Sequence, residues 1–345
     1  MRIVFFVNSI DTEKAVYTTT RLGMAAHGAG HEVWYVGAED LTTLPDSTVV
    51  ARASRVPDRR FRSLEKFLDA VQEAERGTLE METLDVFMLR NDPADELDRT
   101  WAQHVGIDFG QVLADRGVIV LNDPDGLQRA ANKMYVQMLP EVVRPRTVIT
   151  RDLTAVQNFM ENEEADIILK PLRGSGGDRV FLVRRDDAAN LNQIFDAVAR
   201  TGYVIAQQYL DAAAEGDIRL FLMNGRPLEV DGCYAAFRRL HTGGDVRHNM
   251  SVGGKAEKVQ LSEATLAVAE AVRPKLIEDG MFLVGLDIAG DHILEVNVFS
   301  PGGLGSCEAI YGVDFATAII DAMQAKCGMV ASYDGTFRNA QIAVL

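Results

Sequence analysis

The chain has 345 residues, 47% of them hydrophobic and 25% charged, with a formal net charge of −15; it is longer than one core usually serves, so two or three sub-domains are expected. The negative charge repels a polyanion at long range and argues against nucleic acid as the partner, and no apolar run approaches the ~18 residues of a membrane span. Three scattered cysteines (Cys233, Cys307, Cys327) without a CxxC pair fit a reduced, cytoplasmic setting and neither a disulfide frame nor a zinc site. In chain order, residues 2–7 are an apolar run too short for a signal peptide and read as a buried first strand. A helical stretch from about Lys14 to Gly28 and a strand at His31–Val36 complete a parallel α/β unit. Residues 51–83 are charged, with a helical Phe61–Ala74 portion and no assigned function. Leu84–Leu89 and Val118–Leu121 are two more buried strands. They end at Arg90-Asn91-Asp92-Pro93 and Asn122-Asp123-Pro124, where ligands collect in open α/β sheets.

One helix is predicted from Asp125 to about Leu139. Strand Asp166–Lys170, the loop from Pro171 to Gly177 and strand Val180–Val183 make a strand–glycine loop–strand hairpin. Val204–Leu210 is extended, and Arg219–Met223 and Pro227–Val230 flank Asn224-Gly225, a strong hairpin signal. A polar glycine-bearing loop covers Arg238–Gly254. A helix capped by Ser262 runs to about Asp279, the hairpin 282–298 follows, and residues 330–345 read as an appendage.

Chemistry concentrates in three places. Glu295 and Asn297 are two apart on a strand and share a face. A two-residue Gly290-Asp291 turn would set Asp287 opposite Leu294 and put Glu295 on the other face. A three-residue loop, Gly290–His292, sets Asp287 opposite Glu295 and gathers all three, and this is the predicted length. Two carboxylates and an amide oxygen suit Mg²⁺, with Mn²⁺ as the alternative. The loop Arg173-Gly174-Ser175-Gly176-Gly177 offers backbone N–H groups for phosphate beside Lys170, with Lys133 as a second point charge; it is neither a Walker A nor a GxGxxG loop. Arg219, Arg238, Arg239, Arg247 and Lys255 gather in one region of an acidic chain, and arginine forks match carboxylates and phosphoryl oxygens. No nucleophilic triad is legible among six scattered histidines.

Taken in order, these stretches resemble bacterial glutathione synthetase of the ATP-grasp ligases. The matching pieces are Arg90–Pro93, Asn132-Lys133, Ile167–Gly177, Ala206–Leu210, Glu215–Arg219, Arg239–Gly254, Gly285–Gly290 and Glu295–Asn297, so the likeness covers roughly residues 2–325. The resemblance implies an α/β ATP-grasp fold: an N-terminal Rossmann-like parallel-sheet domain (1–122), a small lid domain (123–203), a C-terminal mixed α+β domain (204–329) and a tail (330–345). It implies that Lys133 and Lys170 hold ATP phosphates while Gly174, Ser175, Gly176 and Gly177 close over them. Gln207, Gln208 and Leu210 would form the adenine hinge, with Asp217 near the ribose. Asp287, Glu295 and Asn297 would bind Mg²⁺, and Arg219, Arg239, Arg247 and Asn249 would line the acyl-phosphate pocket. Ser300, Gly302 and Gly303 would form the acceptor turn, and Arg219 and Lys170 would act in catalysis. The implied reaction joins γ-glutamylcysteine and glycine through an acyl phosphate, with Thr242–Gly254 as a candidate lid, in a cytoplasmic homo-oligomer, a tetramer. One departure from the family is Phe299, which stands in Asn297-Val298-Phe299-Ser300-Pro301 where threonine is expected. Two alternatives stay open: an ATP-grasp ligase for another peptide or amino-acid pair, and a catalytically silent nucleotide-binding homologue.

Overall fold

The structure, a computed structural model, describes residues 1–163, 165–174, 178–185, 190–240, 255–333 and 337–345. Its first part runs β1 (Arg2–Val7), α1 (Thr18–Gly28), β2 (Glu32–Gly37), β3 (Leu41–Thr43), β4 (Val49–Arg55), α2 (Leu64–Gln72), β5 (Arg76–Glu80), β6 (Val86–Leu89), α3 (Ala102–Asp115) and β7 (Ile119–Leu121). These strands form a seven-stranded sheet of order β3-β4-β2-β1-β6-β7, with β5 on β4. The four strands expected from apolar runs are its parallel part, β2-β1-β6-β7. Buried on both faces, they read as continuous apolar stretches. Residues 49–80 add an antiparallel edge that the charged sequence did not announce.

The second part comprises α4 (Pro124–Arg129), β8 (Thr147–Thr150), α5 (Leu153–Glu163), β9 (Ile167–Pro171), β10 (Phe181–Val183), α6 (Leu191–Ala199) and β11 (Val204–Gln208). The single helix expected over 125–139 is overturned. α4 stops at Arg129, and a separate 3₁₀ turn covers Lys133–Met138. Asn132 causes the break: in extended conformation it caps the second turn, its side chain accepting from the Met134 N–H at 3.0 Å. The small sheet has order β10-β9-β11-β8, and β9 and β10 flank the glycine loop as predicted.

The third part holds β12 (Asp217–Met223), β13 (Arg226–Pro227), β14 (Glu229–Val230), β15 (Cys233–Tyr234), β16 (Ala236–Leu240), β17 (Lys255–Glu257), α7 (Glu263–Glu278), β18 (Leu283–Ala289), β19 (His292–Asn297), α8 (Leu304–Tyr311), α9 (Phe315–Tyr333) and α10 (Asn339–Ile342). Its main sheet has order β17-β16-β12-β18-β19, with β13 on β12. Asn224 and Gly225 both take positive φ in the two-residue turn between β12 and β13, as Asn-Gly requires. Ser262 caps α7 through the Thr265 N–H at 3.1 Å.

The large first and third sheets share their cores. Phe87 and Val120 pack in one cluster with Leu220 and Leu286, and Phe5 and Leu121 in another with Phe237, Phe282 and Ile319. Asn122 joins them by side-chain hydrogen bonds to Leu283 and Val298. The last residues close over this seam, where Asn339 bonds Val120 and Asp123. The small sheet keeps a core of its own, built from Val156, Phe159, Leu169, Phe195 and Val198.

Candidate active site

The hairpin β18–β19 decides whether three oxygen ligands meet. Its turn has two residues, Gly290-Asp291, so the predicted three-residue loop is wrong. Asp287 nevertheless pairs with Glu295, and Gly285 with Asn297, because the ladder shifts register between Asp287 and Ile288, leaving Leu294 as an extra residue on β19. Gly290 at φ +61° supplies the positive φ that a tight hairpin turn wants at its first position. The bulge then restores the face that such a turn would have reversed. Cross-strand rows on one face of the sheet therefore carry Arg219, Asp287 and Glu295, then Asp217 and Arg239, then Gly285 and Asn297.

Four of these form a buried, charge-balanced network. Arg219 donates to Asp287 from Nε at 2.5 Å and Nη2 at 3.0 Å, and from Nη1 to the Gly302 carbonyl at 2.9 Å. Arg239 reaches Asp287 at 2.7 Å and grips Asp217 from Nε at 2.9 Å and also from Nη2. Burial pushes the Asp287 carboxyl up, but the two guanidinium groups outweigh it and hold Asp287 below the usual carboxylate range. Asp217 goes the other way, raised by burial and by the Asp287 charge despite Arg239. Gly285 makes room, since a Cβ there would lie 3.2 Å from Arg219 Cδ.

In front of this network lies a cleft between the small sheet, the Lys133 turn and β19. Lys133, Lys170, Gly174, Gln207, Glu295, Asn297 and Ser300 line it, with Asp92 and Phe299. Lys170 on β9 donates to Gln207 Oε1 at 2.9 Å, diagonal to it on β11. Burial, aided by the Lys133 charge and opposed by Glu295, brings Lys170 down to about 8. Lys133 is fixed through its backbone N–H to the Leu172 carbonyl at 3.2 Å and through its ammonium to the Gly174 carbonyl. The cleft thus sets the Lys133 and Lys170 ammonium groups among the Glu295 and Asp92 carboxyl groups.

The donor set fits a hard divalent cation. Among the described residues the Glu295 carboxylate has no ion pair or hydrogen bond, and Asn297 spends its NH₂ group on Asp287 and the Gly285 carbonyl, leaving its amide oxygen over. Asp287 is compensated by two arginines, so it would bind a cation only by loosening one of them.

Other expected residues fall elsewhere. Gln208 and Leu210 line a separate recess with Asp166, Asp211 and His292. Gly303, at φ +103°, precedes α8 with its α-carbon against the Phe237 ring. Ser175, Gly176, Gly177, Arg247, Asn249 and the loop Thr242–Gly254 lie outside the described residues. The expected basic cluster is split: Arg238, beside Arg239 on β16, faces away and meets Glu215 at 3.9 Å, and exposed Lys255 pairs with Glu257 at 3.4 Å. Adjacent strand residues point to opposite faces. Sequence reasoning gave Asp92 no role, yet it lines the cleft with its carboxyl raised to about 6 by burial and by Asp95 and Glu295. Its place at the carboxyl end of a central strand was the signal.

Comparison with known proteins shows the family and the fold. Residues 1–128 match the prokaryotic glutathione synthetase N-terminal domain, and residues 132–312 the prokaryotic glutathione synthetase ATP-grasp domain. The chain is 32% identical over 305 residues to a glutathione synthetase of Pseudomonas putida, covering 88% of this chain and 90% of that one. It is 31% identical over 314 residues to that of Agrobacterium fabrum, covering 90% and 91%. Among solved structures, the D-cycloserine synthetase DcsG superposes with a TM-score of 0.61 at 16% identity, covering 93% of this chain and 99% of that one. The ATP-grasp ligase PsnB does so at 0.58 and 19%, covering 93% and 98%. Both likenesses speak to the fold.

Proposed function

Because the chain belongs to the prokaryotic glutathione synthetases, it is an ATP-dependent ligase that joins γ-glutamylcysteine to glycine, and we propose that it does so through an acyl phosphate made and consumed between Lys133, Lys170 and Glu295. The observation that carries this reading is the convergence of both lysines with Glu295 and Asn297 on one cleft. In the first step a carboxylate oxygen of the cysteinyl residue attacks the γ-phosphorus as the bond to the ADP oxygen breaks. In the second the glycine amine attacks the acyl carbon, the carbon–oxygen bond to phosphate breaks, and the ammonium proton is lost. No protein nucleophile is needed; the work is positioning and charge compensation.

Lys133 and Lys170 offset charge on the transferring phosphoryl group, and Gln207 aims the Lys170 ammonium. A divalent metal, which the family uses, adds further compensation on phosphate oxygens when bound. We assign it as Mg²⁺, with Mn²⁺ as the alternative, held by Glu295, Asn297 and Asp287. Arg219, tied to the Gly302 carbonyl, is suited to steady the tetrahedral oxyanion, and we assign Arg239 to the same pocket, along with Arg247 and Asn249 from outside the described residues. Ser300, Gly302 and Gly303 form the acceptor turn. Gly174, Ser175, Gly176 and Gly177 cover the phosphates; Gln208 and Leu210 hold the adenine and Asp217 the ribose side. The division into 1–122, 123–203, 204–329 and a 330–345 tail, a cytoplasmic location and a homotetramer complete the proposal. Among the described residues no helix is long and apolar enough to cross a membrane.

Phosphate release from ATP, γ-glutamylcysteine and glycine tests the reading. Release should depend on both amino substrates, and Glu295→Gln should lower turnover by about a hundredfold or more, with the fold retained. Release that ignores glycine overturns it.

A further inference from the structure

The first sheet carries a pair of buried charges that the chemistry above leaves unused. β1 and β6 are parallel neighbours, and the chain passes from β1 to β2 on one side and to β6 and β7 on the other. At such a reversal the loops leaving the two strands part and open a crevice at their carboxyl ends, the usual ligand position in open α/β sheets. The loop after β1 brings Glu13 and the start of α1, and the residue after β6 is Arg90.

Arg90 is only 3% exposed and forms no ion pair among the described residues. Its Nε donates to Thr19 Oγ1 and its Nη2 to the Pro301 carbonyl, both at 3.2 Å. Burial lowers it to about 10, opposed by the charge of Glu13. Glu13 is raised to about 7 by burial, opposed by Arg90, and its buried Oε2 has no hydrogen-bond partner among the described residues. The two feel each other's charge without touching. A guanidinium and a carboxylate taken out of water and left unpaired are costly, and a group between them must offer an anion to one and a cation to the other. Arg90 holds the Pro301 carbonyl and Arg219 the Gly302 carbonyl, so the buried pair stands one residue along the chain from the turn that Arg219 grips.

We propose that Arg90 and Glu13 bind the α-amino-acid head of the γ-glutamyl group, its α-carboxylate on Arg90 and its α-ammonium on Glu13. This assignment rests on the ligase reading and names where the non-reacting end of the donor sits. The zwitterionic head is neutral as a whole and matches the two opposed charges one to one. Binding it there leaves the cysteinyl carboxylate free to extend toward the phosphate cleft.

Steady-state kinetics of the full chain with ATP, magnesium and glycine test it with three donors. These are γ-glutamylcysteine, glutarylcysteine (no α-ammonium) and 4-aminobutanoylcysteine (no α-carboxylate). Glu13→Gln should raise KM for γ-glutamylcysteine about tenfold or more, yet leave KM for glutarylcysteine within about twofold. Arg90→Lys should raise KM for the first two donors and spare 4-aminobutanoylcysteine, and KM for ATP should hold in both variants. An equal change for all three donors, or none, overturns the assignment while leaving the ligase reading intact. Failure of the unaltered protein to use γ-glutamylcysteine with glycine overturns the ligase reading itself. Should Arg90→Lys not fold, the near-isosteric Glu13→Gln arm decides alone.

Discussion

Lys170 illustrates how one side chain is tuned by its surroundings. Placed on β9 and held by Gln207, it loses water and sits near Lys133, which brings it to about 8; Glu295 opposes the change. In the role proposed for it the phosphate-binding form is the ammonium, present below that value and lost as pH rises through it. The kcat/KM for ATP should therefore fall above about pH 8, and Lys170→Arg, which stays charged, should remove that limb of the profile. A second residue-scale expectation concerns Arg239. Its replacement by Met leaves Asp217 without its bidentate partner and Asp287 with Arg219 alone, so urea unfolding should show a loss of about 3–5 kcal/mol. An unchanged midpoint would mean that the network balances charge without stabilising the fold. Lys170 was legible as a point charge beside the glycine loop, but its tie to Gln207 was not; Arg238 and Arg239 look alike by residue type, and strand alternation sends one inward.

Elements set the site by register and turn geometry. The hairpin 282–298 was readable from its apolar runs, and the pairing of Asp287 with Glu295 was expected, though by a longer loop than the one found. A bulge leaves no residue-type signature here, because Leu294 is an ordinary strand residue; it follows from fitting a two-residue turn to a sheet that holds β18 on both sides. The same limit applies to 124–138, where Asn132 reads as a tolerable helix residue until its side chain is seen capping a new turn. Gly303 offers a test at this scale. It lies at φ +103°, and an added Cβ would stand 2.7 Å from the Phe237 ring, whereas one on Gly302 would meet nothing. Thermal unfolding should show Gly303→Ala destabilised by about 1–3 kcal/mol and Gly302→Ala by no more than about 0.5 kcal/mol.

At the scale of the whole molecule, the two large sheets share apolar clusters while the small sheet has a separate core. A unit with its own core can open or swing without exposing its neighbour's. Amide hydrogen exchange should find residues 147–206 exchanging through a lower-energy opening than β1, β6 and β18, and ATP should slow β9 and β11 most. Uniform protection across all three sheets would contradict this division. Closure of the small sheet over the cleft would suit the proposed route, in which an acyl phosphate must be kept from water.

By itself the sequence determined strands at 2–7, 31–36, 84–89 and 118–121, each within two residues of the parallel strand found, together with the glycine hairpin, the Asn-Gly turn and the capped helix after Ser262. Each rests on local signals: apolar runs, turn residues and caps act within a few positions. It also held the identities of the two lysines and the three oxygen donors. Tertiary structure alone decided which of them face one cleft, that Asp287 and Asp217 are locked by Arg219 and Arg239, and that Arg90, bonded to the Pro301 carbonyl, and Glu13 have no ion pair among the described residues. Those facts depend on contacts between residues as far apart as Arg90 and Pro301, and no local pattern encodes the distance between side chains that meet only after the sheets have packed.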